Sequence, residues 1–123
     1  AGLADQAVAR GDFTSSGGAA AMEQLLREHP DVDGVFAASD LMAAGALEVL
    51  RASGRAVPED VRLIGFDDLG VAASTAPPLT TMSNPVVEMS RVAAELLLEQ
   101  VAGRATSYAP RIFGAEVVVR VSA

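Results

Sequence analysis

Two adjacent carboxylates, Asp67 and Asp68, close the short apolar run Val61-Arg62-Leu63-Ile64-Gly65-Phe66. Acids paired in this way can hold Mg2+ for phosphoryl transfer, or they can accept hydrogen bonds from adjacent hydroxyls of a sugar. The metal reading asks for a cationic or nucleophilic partner at useful spacing, and the sequence offers none. There is no Lys and no Cys, and the single His, His29, precedes Pro30 at a helix end, where it can complement the helix dipole. Thiol chemistry and Cys-ligated zinc are excluded, and Gly17-Gly18 fits neither a P-loop nor a GxGxxG turn. No catalytic residue, metal or cofactor is expected.

Phe13, Ser39 with Asp40, and Asn84 share a trait with Asp67: each falls just past a candidate strand. In a parallel sheet such positions gather at the carboxyl edge, where α/β proteins place their ligands. Acceptors for hydroxyls beside an aromatic ring suit a neutral, polyhydroxylated molecule. The expected ligand-binding set is therefore Phe13, Ser39, Asp67 and Asn84. Plainer roles compete at each position. Asp40 reads first as a helix cap, one of Asp67 and Asp68 as a turn residue, Phe13 as core, and Ser39 and Asn84 as caps.

The elements that would position these residues alternate in type. Gln6–Phe13 is a weak strand candidate, poor in β-branched residues. Thr14, Ser15 and Ser16 offer N-caps for a helix to about His29, with Ala19, Met22, Leu25 and Leu26 on its apolar face and Pro30 as its stop. Val35–Ala38 reads as a short buried strand, followed by a helix from Leu41 to about Ser53 that Gly54 closes in the left-handed conformation. Val61–Phe66 reads as a strand covered on both faces, which completes a right-handed βαβ crossover. After an irregular stretch and Pro77-Pro78, Leu79–Met82 is a short strand. Asn84-Pro85 opens a helix to Ala102, with Val86, Met89, Ala93, Leu96 and Leu97 on one side and Gly103 at its end. Tyr108–Ala115 is ambiguous, and Glu116–Val121 is a final strand. The fold class is α/β with a parallel sheet.

With 123 residues, half of them apolar, the chain suits one domain with a real core. Nine Arg against sixteen acids leave a net charge of −7, which argues against this segment gripping a phosphate backbone. No apolar run approaches the length of a membrane span, and residues 1–10 lack the basic start and long apolar middle of a signal peptide. The start, Ala1-Gly2-Leu3, without Met and without a strand or cap signal, reads as that of a fragment or processed product.

Four stretches together carry a likeness: Gly11-Asp12-Phe13-Thr14, Val35 to Ala46, Val57 to Asp68, and Pro77-Pro78-Leu79-Thr80-Thr81. In that order, over nearly the whole chain, they resemble the lac-repressor/gal-repressor (LacI-type) family of bacterial transcription regulators. The resemblance implies a periplasmic-binding-protein-like effector domain of two lobes with a sugar or nucleobase in the cleft between them. Residues 1–123 would be its C-terminal, three-layer lobe, and the helix 85–102 would cross to the N-terminal lobe. Phe13 falls where the family often has an aromatic residue facing the ligand, Ser39 where it commonly has Asn, Asp67 at its ligand-binding Asp, and Asn84 near a frequent Gln. The departures at Ser39 and Asn84 keep any particular effector from being carried over.

The resemblance further implies a cytoplasmic, non-enzymatic homodimer that reaches operator DNA only through a helix-turn-helix outside this chain, with no membrane partner. The small-residue helix from Leu41 resembles part of the family's dimer surface. The apolar side of the helix 85–102, without the other lobe, would favour self-association. A sugar-binding protein of a transport system shares the fold and is the alternative. A Mg2+ enzyme using Asp67 and Asp68 is a more distant one.

Overall fold

The computed structural model describes residues 7–104 and 109–123. Gln6 of the first strand candidate and Tyr108 of the ambiguous stretch lie outside them. The elements run α1 (Ser15–Glu28), β1 (Gly34–Phe36), α2 (Asp40–Ala52), β2 (Arg62–Asp67), α3 (Gly70–Ser74), β3 (Thr80–Ser83), α4 (Val86–Val101) and β4 (Val117–Val118). The sheet order is β1-β2-β3-β4; the first three strands are parallel and β4 is antiparallel to β3. The expected α/β architecture, with a βαβ crossover from β1 through α2 to β2, is present.

The buried core lies on one face of the sheet. Val61, Leu63 and Leu79 meet Met42, Ala43, Ala46 and Leu50 of α2, Met22 of α1 and Ala72 of α3. Each large aliphatic side chain so buried stabilises the fold by about 1.5–3 kcal/mol. Glycines bring the two long helices together: a Cβ at Gly18 would meet the Met42 backbone, and one at Gly45 the Ser15 carbonyl. The low helix propensity of Gly18 is offset by an approach that only glycine permits.

Several expectations are corrected. Residues 7–12 form no strand, since they make no ladder bonds to β1. β1 is not buried: it is an edge strand with Phe36 63% exposed. β2 is covered on one face only, because Arg62 is exposed and Ile64 and Phe66 are half-buried while Leu63 and Gly65 are inaccessible. The stretch after Asp68 holds the short helix α3. The last strand shrinks to two residues, and the chain beyond it is pinned by Ser122 instead. Ser122 is fully buried; its Oγ accepts from the Thr80 amide (2.8 Å) and donates to the Leu63 carbonyl, tying the C-terminus to β2 and β3. The helix α4 starts and ends close to expectation, with Gly103 at positive φ. None of its residues is buried, and Val87, Leu97, Leu98 and Val101 are open to solvent.

Candidate functional site

The parallel strands end on one side, and there the chain does something unusual. Asp67 and Asp68 both have positive φ, 100° and 54°. Asp tolerates the left-handed region better than most residues, but a sparsely populated backbone conformation still costs on the order of 1–3 kcal/mol and persists only where surrounding contacts fix it. Three side chains supply those contacts. Asn84 Nδ2 donates to Asp67 Oδ1 at 3.1 Å. Arg120 Nη2 donates to Asp68 Oδ1 at 2.7 Å while its Nη1 donates to the Leu79 carbonyl at 2.9 Å. The amide of Leu69, the next residue, donates to Asp40 Oδ2 at 2.6 Å.

The two neighbouring acids are thus separated in role. Asp68 is half of an ion pair with Arg120, a distant side chain in place of the turn amides expected for one of the two acids. Asp67 is half-buried, and the partner of its carboxylate is the amide of Asn84. An acid held by a neutral amide keeps acceptor capacity for hydroxyl donors. Arg120 lies 52 positions from Asp68 along the chain, a separation that leaves no local sequence signal of the pairing.

Two capping assignments are reversed. Ser39, not Asp40, is the N-cap of α2: the Met42 amide donates to Ser39 Oγ at 3.2 Å, and Ser39 is 4% exposed. Asp40 opens the helix proper and is fully buried, accepting from Leu69 and, on Oδ1, from the Thr81 hydroxyl at 2.6 Å. Asn84 makes no cap bond to α4, because its side chain turns to Asp67 instead.

Phe13 stands just before α1 at φ 64° and is 64% exposed, so it is not core. Its loop is fixed by Asp12 and Thr14. Asp12 Oδ1 accepts from the Thr14 hydroxyl (2.6 Å) and amide (3.1 Å), and Thr14 Oγ1 caps Gly17. The hydrogen bond from the Thr14 hydroxyl, then that from its amide, holds the Asp12 carboxyl below its ordinary pKa. Gly11 packs so close to Met42 that a Cβ there would run into that side chain. The Phe13 loop therefore lies over the first turn of α2, the turn that Ser39 caps and from which Asp40 reaches the Asp67–Leu69 bend. The carboxylate of Asp67 and the amide of Asn84 stand together at the ends of β2 and β3, groups that suit a hydroxyl-bearing ligand, and Phe13 presents an exposed ring on the loop before α1.

A cavity of about 630 Å³ lies elsewhere, between residues 7–9, α1 and β1. It is lined by side chains such as Val8, Met22, Leu25 and Val35, and among the described residues no polar side chain lines it to orient a sugar. We place the candidate site at the strand ends for that reason. Among the described residues, no cluster of three or more His, Cys, Asp or Glu side chains could hold a metal ion, and no helix is long and apolar enough to cross a membrane.

The periplasmic binding protein-like domain family matches residues 1–123. Among curated relatives, the HTH-type transcriptional regulator CelR of Thermobifida fusca is 49% identical over 94% of this chain and 34% of its own length. The HTH-type transcriptional repressor CytR of Escherichia coli K12 is 42% identical over 95% of the chain and 34% of its own. The chain spans about a third of the length of these relatives. Among solved structures, the CelR–cellobiose complex superposes with a TM-score of 0.89 at 49% identity, over 92% of this chain and 35% of that one. A LacI family regulator of Arthrobacter sp. FB24 in complex with lactose gives 0.78 at 37% identity, over 91% and 42%.

Proposed function

The chain belongs to the periplasmic binding protein-like family of LacI-type regulators, and from that premise we propose that it is the sugar-sensing lobe of a cytoplasmic, non-enzymatic transcription regulator. The effector is a neutral sugar; a disaccharide of the cellobiose class is the first to test, because that is what the CelR structure holds. The observation that carries this reading is the Asp67–Asn84 pair at the end of β2 and β3. Asp67 accepts two sugar hydroxyls, Asn84 orients it and adds a donor, and the exposed ring of Phe13 covers an apolar sugar face. Ser39 contributes by starting α2 beneath the site, its own side chain being occupied by the cap.

Function then follows from a population shift. Sugar between this lobe and a second one favours one arrangement of a homodimer, and its differential affinity for the two arrangements sets how far operator binding by a helix-turn-helix outside this chain changes. Unburied α4 supports the idea that residues 85–102 pack on that second lobe; the small residues Ala43, Gly45 and Ala46 of α2 are buried within this lobe, so a dimer contact on that helix falls to its exposed side, at Leu41 and Glu48. The relatives named are regulators, which favours this reading over a transport receptor. The divergent partners of Asp67 and Asp68 speak against a shared Mg2+ ion.

The test is calorimetric titration of the regulator carrying this chain with cellobiose. Asp67→Asn weakens binding by about 1.5–3 kcal/mol, the worth of hydrogen bonds to a charged acceptor. Unchanged affinity would reduce Asp67 to a turn residue and overturn the site.

A further inference from the structure

Asp40 is the one acid among the described residues that is fully buried. Neither ion pair found among those residues includes it. Its charge is balanced by its place in the first turn of α2, where the helix dipole favours an anion, and by two short donors, the Leu69 amide and the Thr81 hydroxyl, both at 2.6 Å. The path to Thr81 crosses β2 at Gly65, which is paired with Thr81 in the sheet. A Cβ at Gly65 would run into Asp40 Oδ1. The glycine is therefore the gap through which a helix side chain reaches the third strand.

We propose that Asp40 is a positioning residue for the sugar site: by clamping the Leu69 amide against α2 and β3 it fixes the left-handed Asp67-Asp68 bend and hence the direction in which Asp67 offers its carboxylate. The inference rests on the sugar-sensing reading. Arg120 holds the same bend through Asp68, so the two anchors bracket Asp67, whose carboxylate among the described residues accepts from Asn84. Asp40 touches no sugar; it acts through Asp67. Asp40→Asn keeps the shape but replaces the charge-assisted bonds with weaker ones, and the bend loosens.

The experiment is a double-mutant cycle in the regulator carrying this chain, with cellobiose as the probe and amide hydrogen exchange at Leu69 as a second readout. Asp40→Asn is expected to weaken binding about ten-fold alone and by less than two-fold on top of Asp67→Asn, because residues acting as one unit are not additive. It should also release the Leu69 amide to faster exchange. A purely structural Asp40 would weaken binding by the same factor in both backgrounds, and that result overturns the inference. Should Asp40→Asn fail to fold, Thr81 gives the same test. Thr81→Ser retains the hydroxyl and should keep wild-type affinity, while Thr81→Val should lose about three-fold, again only when Asp67 is present; equal behaviour of the two variants overturns the inference. If Asp67→Asn itself leaves cellobiose binding unchanged, the sugar-site reading fails. Leu69 exchange then still decides whether the clamp exists: release on Asp40→Asn supports it, and no release refutes it.

Discussion

Replacing Arg120 by Met retains an apolar stem and removes the guanidinium, so the loss isolates two bonds. The bond to Asp68 joins side chains 21% and 32% exposed, which solvent screens in part, and we assign it about 1 kcal/mol, the upper end for surface pairs. The bond from Nη1 to the Leu79 carbonyl adds about 1 kcal/mol. Arg120→Met should therefore destabilise the protein by about 2 kcal/mol in urea titration, read as a shift of midpoint at constant slope. Asp68→Asn alone should cost about 1 kcal/mol, and the cycle of both should return a coupling near 1 kcal/mol that falls in high salt. A coupling below about 0.3 kcal/mol, within the additivity expected of independent sites, would mean that the pair does not hold the bend. The description of Asp68 as the bend's outer anchor would then be wrong.

Further outcomes are expected from the same contacts. Gly45→Ala should destabilise by about 1–3 kcal/mol, since the new methyl meets the Ser15 backbone, whereas Gly34→Ala, with open space around it, should be near neutral in the same titration. The Asp12 carboxylate should titrate below an ordinary aspartate by NMR, and Thr14→Val should move it back up. Because its folded pKa is depressed, Asp12 contributes stability above its unfolded pKa, and that contribution is lost as pH falls through the folded value. A titration no lower than in Thr14→Val would remove the Asp12–Thr14 bond from the description of the Phe13 loop.

Asp67 and Asn84 were legible because each stands at the end of a strand, whereas Phe13 follows none, residues 7–12 forming no strand. An apolar run that stops at Asp67, or a strand followed by Asn84-Pro85, marks a sheet edge through local chain pattern alone. The structure brings Asp67 and Asn84 within one hydrogen bond. What pattern could not weigh was competition for side chains. Ser39 and Asp40 are adjacent and both cap well, so local preference cannot say which of them caps; packing decides, since only Asp40 lies over Gly65 and can reach Thr81. Asn84 likewise gives up a cap it could make because a carboxylate stands nearer.

The sequence by itself determined the alternation of helices and strands, the βαβ unit, the close of α2 at Gly54 and the turn chemistry at the site, since each depends on spacing and on residues within a few positions. Tertiary structure alone decided which acids do what. The bonds from Thr81 to Asp40 and from Arg120 to Asp68 join residues 41 and 52 positions apart. Ser122 reaches back 59 positions to Leu63. Such contacts exist only once the sheet register is set, and that register is a property of strands pairing across the chain, not of any one stretch.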